Sequence, residues 1–524
     1  MHRRAGRPKS HTGCNTCKSV VRHVKCDEQK PACRQCAVSG RKCDGYEVNL
    51  SQRELRERII TSYQRPTRAP ESCIILSQGT RQERQYVHLF CTQTSPALSG
   101  FFFSQLWNRL VPQLSQTESI VRYAVAAVGA AHYKNSKTND PGFVEMFIWQ
   151  QYNKAIRNLT LHLSTLPSEQ QKDTQADLTL ITCSLFVCLE MLMGNHEQAF
   201  NHLEAGVNLV YRRSQVSAYQ STDSQTISSE LSDLFSRFRI ELDLSERSTR
   251  LCTWAAMSHK DSMLSSDFTD IAHARRSLSI VGMNSIGMIR GSSIHQIPCA
   301  GDSQDPHWQE VGNQLRAKLE PIKQELDLWA VKFEIFMLSR KGRSADQRAA
   351  LALRLDHRIN LIMSLSLLHR SEIEFDRFND DFIYIVRTAT ELLRLDAEQS
   401  ENNSLQSPFR LEAGVIRTLH WTALKCRDPL TRREAIRLMS MYRRKEGVWD
   451  WRRSVKITER IVALEEAGLS FLPIEKRVPD DQHRIYATAY LDDSFSEQTQ
   501  VKICWKPDGQ KGTLQQRMET VKWA

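Results

Sequence analysis

The sequence predicts a small cysteine-rich module at the N-terminus, followed by a large all-α body. Six of the 14 cysteines lie within residues 14–43. From about Glu83 onward, apolar residues recur with the period of amphipathic helices. The 524 residues are 40% hydrophobic and 25% charged, which is ordinary for a folded soluble chain. We therefore expect most of the chain to fold, with its unusual chemistry at one end.

The first element is a basic arm, residues 1–13. Residues 1–70 hold 16 Lys and Arg against 6 Asp and Glu, and so account for +10 of the net charge of +11. A cationic segment on a near-neutral body suits a polyanion, because neutralising phosphates releases condensed counterions. A solvated basic tail is the alternative that composition alone allows.

The second element is the cysteine module, which has the spacing C-x2-C-x8-C-x6-C-x2-C-x6-C. The six residues are Cys14, Cys17, Cys26, Cys33, Cys36 and Cys43. A two-residue gap lets both thiolates of a C-x2-C pair reach one tetrahedral zinc. Six ligands can serve two four-coordinate ions only if two thiolates bridge them, so we expect two Zn²⁺ per chain. No basic and apolar leader opens the chain, and disulfides are therefore not expected.

The residues around these cysteines resemble the fungal C6 zinc-cluster transcription factors. The matching stretches are Thr12-Gly13-Cys14-Asn15-Thr16-Cys17-Lys18, Arg22-His23-Val24-Lys25-Cys26-Asp27-Glu28, Lys30-Pro31-Ala32-Cys33 and Gly40-Arg41-Lys42-Cys43-Asp44-Gly45-Tyr46. The resemblance implies a binuclear zinc-cluster DNA-binding domain over residues 14–46. It also implies a nuclear, zinc-dependent regulator of RNA polymerase II transcription that reads CGG-like half-sites in double-stranded DNA.

The resemblance assigns roles to individual residues. Cys14 and Cys33 would bridge, with Cys17 and Cys26 completing one zinc site and Cys36 and Cys43 the other. The candidate DNA contacts on the helix that such modules place in the major groove are Lys18, Arg22, His23 and Lys25. In the arm, Arg3 and Arg4 precede a Gly-Arg-Pro core that contains Arg7 and can enter an A·T minor groove, although nuclear import or phosphate attraction is the commoner role.

One feature departs from the family. Eight residues separate Cys17 from Cys26, where the family has six, and the extra pair lies within Ser19-Val20-Val21. On a helix, two residues add about 3 Å and a rotation near 200°. Either the loop bulges, or the extra residues come from a gene-model error. A non-DNA-binding regulatory or interaction protein is the alternative function if this loop disables the cluster.

The third element is a linker, residues 47–82, in which Arg65-Pro66 and Ala69-Pro70 resist continuous helix. The family commonly dimerises through a coiled coil at this point. Here Leu50–Ile60 lacks a sustained heptad pattern, because Glu57 falls seven residues after Leu50. We expect residues 1–80 alone to be monomeric on a single half-site, and any dimerisation to require the helical body.

The last element is the body, residues 83–524. Ile181, Leu185, Cys188 and Leu192 fall at helical spacing, as do Ala199, Leu203, Val207 and Val210. Met193-Gly194-Asn195 between them predicts an antiparallel helical hairpin, and we expect a flexible loop near 212–233. Further helices are expected at Ala349–Leu368, Ile383–Leu395, Ala413–Leu424 and Arg432–Tyr442. A strand at Gln498–Trp505 with a turn at Pro507-Asp508-Gly509 is also expected.

The body resembles the fungal-specific regulatory domain, and regulators of secondary-metabolite gene clusters are the nearest subgroup. The matching stretches are Tyr86–Leu89, Leu98-Ser99-Gly100, Trp107, Ala124–His132, Cys426-Arg427-Asp428-Pro429, Arg432-Arg433-Glu434-Ala435 and Glu446-Gly447-Val448-Trp449-Asp450. The resemblance implies a non-catalytic domain that takes regulatory input and contacts co-regulators. The sequence contains no nucleophile elbow, H-E-x-x-H, P-loop or G-x-G-x-x-G, and we expect no enzyme. A metal-dependent enzyme whose site lacks these motifs is a further alternative. The longest apolar runs are too short to cross a bilayer, and no membrane partner is expected.

Overall fold

The computed structural model divides into two compact units, Met1–Ser72 and Cys73–Ala524. The residues it describes are 14–18, 26–30, 32–40, 43, 78–136, 142–164, 169–216, 230–238, 266–291, 306–340, 344–366, 371–402, 409–411, 414–491, 498–509 and 512–523. In the first unit, two short helices, α1 (Asn15–Lys18) and α2 (Arg34–Val38), follow the two C-x2-C cysteines Cys14 and Cys33.

The second unit is predominantly helical, which confirms the predicted fold class. Its first half holds α3 (Arg81–Leu89), α4 (Ser95–Ser99), α5 (Val111–Thr117), α6 (Ser119–Ser136), α7 (Phe143–Ser164), α8 (Glu169–Met193), α9 (His196–Val216) and α10 (230–238). The second half holds α11 (Ile271–Gly291), α12 (Pro306–Ser339), α13 (Ser344–Ser366), α14 (Asn379–Asn402), α15 (Val415–Lys425), α16 (Pro429–Tyr442) and α17 (Trp451–Glu465). Single π-helical segments at Phe90–Thr94 and Leu106–Leu110 precede α4 and α5.

The body begins with a capping box. The Thr80 hydroxyl accepts a hydrogen bond from the Glu83 backbone N–H, and the Glu83 carboxylate accepts one from the Thr80 N–H. This reciprocal pair satisfies two of the free donors at the start of α3. Glu83 also contacts Lys154 of α7 at 3.1 Å, so the same carboxylate connects the first helix of the body to a later one.

The predicted helical hairpin is confirmed as α8 and α9. Gly194 has a φ of +83°, a conformation open to glycine, and it makes the turn between the two helices. Leu185 and Cys188 of α8 and Ala199 of α9 are fully buried. By length and composition the stretch Gln175–Met193 could cross a membrane, but 78% of it is buried within the body, as in a core helix.

The predicted flexible loop near 212–233 is wrong at both of its ends. Helix α9 continues to Val216, and residues 230–238 are helical again. Apolar residues explain the second boundary, since Leu231, Leu234 and Phe235 are buried. Residues 217–229 lie outside the described residues.

A second core forms where α11, α12 and α13 meet. Leu326, Trp329 and Phe333 lie on the inner face of α12 and are buried. The Trp329 ring stacks on Phe333 and on His357, with centroids 4.6 and 5.3 Å apart. Its indole N–H donates to the Ala274 carbonyl at 2.9 Å, which satisfies the buried polar atom.

The described residues also contain two three-stranded sheets. In the first, β1 (Phe409–Arg410) pairs in parallel with β2 (Lys445–Glu446), and β2 pairs antiparallel with β3 (Trp449–Asp450). The second is an antiparallel meander of β4 (Ile485–Leu491), β5 (Gln498–Trp505) and β6 (Gln515–Lys522).

The strand predicted at Gln498–Trp505 is confirmed as β5. Polar and apolar residues alternate along β5 because Val501 and Ile503 point into a core shared with Ile457 and Ile461 of α17. The predicted turn is also present, since Gly509 has a φ of +65° and its N–H donates to the Lys506 carbonyl.

Candidate metal centre

Each C-x2-C pair of the first unit forms the start of a short helix. The Cys17 N–H donates to the Cys14 carbonyl at 3.1 Å, and the Cys36 N–H donates to the Cys33 carbonyl at the same distance. This single turn directs both sulfurs of a pair to the same side of the backbone. The two halves of the module are therefore built alike, with one pair of sulfurs from each.

The six sulfurs form two overlapping groups of four. Cys14, Cys17, Cys26 and Cys33 make one group, and Cys14, Cys33, Cys36 and Cys43 make the other. Within each group all sulfurs lie within 4.8 Å of one another. Cys14 and Cys33 belong to both groups, while Cys26 completes one group and Cys43 the other.

The distances between the sulfurs fit tetrahedral zinc. Zinc–sulfur bonds of about 2.3 Å at tetrahedral angles place neighbouring sulfurs about 3.8 Å apart. The Cys14 sulfur lies 3.6 Å from that of Cys33 and 3.8 Å from that of Cys36. The Cys17 sulfur lies 3.7 Å from that of Cys33, which belongs to the same group of four. It also lies 3.8 Å from the sulfur of Cys36, which belongs only to the other group. The six-cysteine cluster can thus bind two zinc ions.

Backbone N–H groups point at the sulfurs. The Cys26 sulfur accepts from the N–H groups of Cys14 and Glu28, both at 3.4 Å. The Cys14 sulfur accepts from the Cys17 N–H at 3.4 Å, and the Cys33 sulfur from the Cys36 N–H at 3.3 Å. Donors aimed at sulfur favour the thiolate over the thiol, which is the form that binds a metal.

The described residues supply too few such donors to hold the thiolates charged without metal. Burial raises the pKa of the Cys14 thiol to about 12, and it also raises the pKa of Cys17 and Cys33. Without a cation among them these cysteines stay protonated, and zinc binding displaces their protons. Six sulfurs at zinc-ligand distances, neutral thiols without metal and thiolates when it binds, make a donor set that fits zinc.

Asp27 connects the third cysteine to the second helix. Its carboxylate accepts hydrogen bonds from the backbone N–H groups of Arg34 and Gln35, at 3.1 and 3.3 Å. These are free donors in the first turn of α2, and the acidic side chain satisfies them. The sequence pattern alone does not single out Asp27 as a site residue; its one signal is a carboxylate directly after Cys26.

The candidate DNA-contacting residues are not brought together by the described part of the structure. Lys18 ends α1, and its side chain is not described. The other candidates lie outside the described residues; they are Arg3, Arg4, Arg7, Arg22, His23 and Lys25. The lengthened loop and the linker stretch Leu50–Ile60 also lie outside the described residues. Their roles stay predictions.

The charged residues near the end of the body form structural networks. Arg427 and Arg432 both contact the Glu465 carboxylate, at 2.8 and 2.9 Å, and all three side chains are almost completely buried. Glu446 belongs to a separate network, in which it accepts hydrogen bonds from the backbone N–H groups of Gly414 and Ile416. In the described residues these charges pair with one another and satisfy helix ends.

Two stretches of the chain match known families. Residues 12–53 match the fungal Zn(2)-Cys(6) binuclear cluster domain, and residues 85–409 match the fungal specific transcription factor domain. No solved structure matches the chain.

Several curated proteins are similar to the chain. The aspercryptin biosynthesis cluster-specific transcription regulator atnN of Emericella nidulans is 22% identical, over 95% of this chain and 94% of its own. The transcription regulator lscL of Purpureocillium lilacinum is 27% identical over 37% of this chain and 48% of its own. The Zn(2)-C6 fungal-type transcription factor afumD of Aspergillus fumigatus is 30% identical over 26% of this chain and 36% of its own.

Proposed function

The chain belongs to the family of fungal transcription factors with a Zn(2)-Cys(6) cluster, and from this premise we propose that it is a sequence-specific, zinc-dependent DNA-binding regulator of RNA polymerase II transcription. The observation that carries the proposal is the pair of four-sulfur groups that share Cys14 and Cys33. In the proposed site these two thiolates bridge the metals. Cys17 and Cys26 complete one zinc site, and Cys36 and Cys43 complete the other.

The proposed DNA-binding residues are close in sequence to the cysteine ligands. Lys18, Arg22 and Lys25 fall between the second and third ligands, where a helix can present them to guanine O6 and N7 in a CGG half-site. His23 and the arm residues Arg3, Arg4 and Arg7 are proposed to contact phosphates or the minor groove. The concentration of net charge within residues 1–70 supports this assignment, because phosphate contacts supply much of the affinity for DNA.

We also propose that residues 83–524 act as one non-catalytic regulatory domain in the nucleus, where the domain contacts co-regulators. Helix α8 and strand β2 support a body that continues beyond residue 409, because Lys445 donates to the Met191 carbonyl at 2.9 Å. The name of the Emericella nidulans relative points to a biosynthetic gene cluster as the kind of target. Residues 14–46 and 47–82 remain the proposed DNA-binding domain and linker.

A regulatory or interaction protein that does not bind DNA is the second candidate function. The lengthened stretch between Cys17 and Cys26 favours it, because two extra residues would turn Arg22 and Lys25 away from the register that the family uses. Metal binding does not depend on that register. This candidate therefore predicts a zinc-loaded protein that fails to bind CGG-containing DNA.

A mobility-shift assay with the zinc-loaded full chain separates the two functions. DNA binding predicts a shift with CGG-containing duplexes that a scrambled duplex does not give, that chelator abolishes and that added zinc restores. Lys18→Ala, Arg22→Ala and Lys25→Ala should each weaken binding about tenfold. The matched control is Lys30→Ala, since Lys30 is exposed beyond the third cysteine and should matter less.

Two results would count against DNA binding by the cluster. The first is a shift that persists in chelator, because the module needs metal to fold. The second is a chain that holds two zinc ions but shifts no CGG duplex. If deletion of Val20 and Val21 then creates a shift, the lengthened loop is what disables DNA binding, and the second candidate function holds.

A further inference from the structure

The three residues Cys26-Asp27-Glu28, which we call the clamp, contact both halves of the cysteine module. The Cys26 sulfur accepts a hydrogen bond from the Cys14 backbone N–H at 3.4 Å, which joins the clamp to the first half. The Asp27 carboxylate accepts from two backbone N–H groups in the first turn of α2, at 3.1 and 3.3 Å, which joins the clamp to the second half. Since α2 begins directly after Cys33, the clamp connects the two cysteines that belong to both groups of four sulfurs.

Asp27 completes the hydrogen bonding at the start of α2. The first four N–H groups of a helix have no acceptor in the preceding turn. In α2 the third and fourth of these groups donate to the Cys33 carbonyl, both at 3.1 Å. The first and second, those of Arg34 and Gln35, donate to the Asp27 carboxylate instead. Removing the carboxylate therefore removes the described contacts through which the residue after Cys26 holds the start of α2.

The backbone of the clamp is constrained at Glu28. Its N–H donates to the Cys26 sulfur at 3.4 Å, so the same sulfur receives donors from both directions along the chain. The φ of Glu28 is +61°, in the left-handed region that residues other than glycine rarely occupy. Such a conformation persists only where the surrounding contacts determine it. The residue that follows the Asp27 carboxylate is therefore held in place by the cluster itself.

We propose that Asp27 is a positioning residue of the zinc cluster, one that holds the sulfurs of the second half against the sulfur of Cys26. Asp27 does not bind the metal; it acts through the backbone of α2, which carries Cys33 and Cys36 at its start. Groups that orient metal ligands commonly change metal affinity ten- to a hundredfold when they are removed. Asp27 is exposed to solvent, where water replaces part of its hydrogen bonding, so the effect should lie at the lower end of that range.

The clamp positions Cys26 from its C-terminal side, so the longer stretch on its N-terminal side matters less. Eight residues separate Cys17 from Cys26, two more than in the family. The entropy of closing a loop changes slowly with its length, and two residues in eight should alter zinc affinity by less than about twofold. Zinc binding should therefore depend more on Asp27 than on the number of residues between Cys17 and Cys26.

Competition between the full chain and a chromophoric zinc chelator measures the affinity. Asp27→Ala should bind zinc about tenfold more weakly than wild type. Asp27→Asn should be intermediate, because its amide oxygen still accepts from one of the two N–H groups of α2. The matched control is Lys30→Ala, which removes an exposed charge just beyond the clamp and should bind zinc as wild type does.

Cobalt substitution separates positioning from a general loss of stability. Co²⁺ occupies tetrahedral thiolate sites, and its visible absorption bands report the arrangement of the sulfurs around it. At saturating Co²⁺, Asp27→Ala should change the positions or relative intensities of these bands, and Asp27→Asn should restore most of the wild-type spectrum. Lys30→Ala should leave the spectrum unchanged. A merely destabilised module would bind less cobalt with bands of unchanged shape, and that result overturns the positioning role.

Deletion of Val20 and Val21 completes the comparison. We expect it to change zinc affinity by less than about twofold; a change larger than that of Asp27→Ala assigns the positioning of Cys26 to the loop and overturns the proposal. Wild-type affinity in Asp27→Ala also overturns it, as does Asp27→Asn binding no more tightly than Asp27→Ala. If Asp27→Ala holds no metal, the affinity and spectrum of Asp27→Asn, set between that variant and wild type, decide by the same criteria. None of these readouts uses DNA, so their failure differs from failure of the proposed function.

Discussion

The cysteine module and the network around Glu465 both place ionisable groups in a dry interior, but among the described residues only the network contains its own counter-charge. Arg427 and Arg432 lie within 2.9 Å of the Glu465 carboxylate, and Glu372 lies 3.0 Å from Arg427. The sulfurs of Cys14 and Cys33 have only other sulfurs and backbone N–H groups around them in the described residues.

This difference indicates where each region obtains its folding free energy. A buried ion pair whose partners both come from the chain is complete when the chain folds. The described residues of the cysteine module include no comparable apolar core and no buried cationic side chain, so its interior is complete only with metal. The body should therefore fold by itself, and the module should not.

The largest expected effect is that of chelation. Removing zinc should unfold the module, because each structural zinc contributes about 10 kcal/mol or more to folding. The body should keep its helix signal and its thermal transition. Circular dichroism together with zinc analysis of the full chain checks this, and returning two equivalents of zinc should restore the module. Loss of the body's thermal transition in chelator would contradict the claim that the body folds without metal.

The cluster was largely predictable because its information is local. Six cysteines within thirty residues, at metal-ligand spacing, predict the ligand set without any knowledge of the fold. The resemblance to the zinc-cluster family is confirmed by the domain matches. The contacts of Asp27 with the start of α2 were not predicted, since a carboxylate beside a cysteine gives no sign of which backbone it will meet.

The second expected effect distinguishes the two shared cysteines from a cysteine that belongs to one group only. Cys14→Ala or Cys33→Ala should lose both zinc ions, because each of these sulfurs belongs to both groups of four. Cys43→Ala should lose mainly one ion, because Cys43 belongs to one group only. Zinc per chain, measured after gel filtration, decides the matter. Cys504→Ala, in strand β5, is the control and should keep two ions; equal loss from all three cluster variants would contradict bridging.

The body was predictable where its pattern is periodic and unpredictable where its contacts are distant. The hairpin of α8 and α9 and strand β5 follow from short-range periodicity. The partners of β5 do not, because strand pairing depends on residues far apart in sequence. Helix α12 contains Pro321, a residue that ordinarily ends a helix, and still runs from Pro306 to Ser339.

Glu465 shows the same limit. In sequence it lies beside Glu466 at the end of a helix rich in charges, which resembles a solvated surface. In the structure it is completely buried, and its counter-charges come from residues more than thirty positions away. The buried arginines Arg427 and Arg432 were visible as a charged cluster, but nothing local indicated which carboxylate would neutralise them.

Glu465→Gln should give the smallest of the three expected effects. It tests directly whether the buried charges of the body are neutralised by one another. The substitution keeps the shape of the side chain but leaves Arg427 and Arg432 buried without their shared anion. Removing one partner of a buried pair costs about 3–5 kcal/mol. Thermal and denaturant unfolding should report that loss, while the zinc content stays at two ions. Glu459→Gln, on the same helix and in an exposed pair with Lys456, should cost less than about 1 kcal/mol.

The pH dependence of that loss separates charge from shape. Burial alone would raise the pKa of Glu465, but the positive charges of Arg427 and Arg432 outweigh burial and hold the pKa below its ordinary value. A carboxyl whose pKa is lowered by folding stabilises the protein above its unfolded pKa, about 4.3 for glutamate, and loses this contribution as the pH falls through the folded pKa. The stability difference between wild type and Glu465→Gln should therefore be full at neutral pH and shrink below about pH 4. A difference that stays constant down to acid pH would mean that packing, and not the charge of Glu465, holds Arg427 and Arg432 in place.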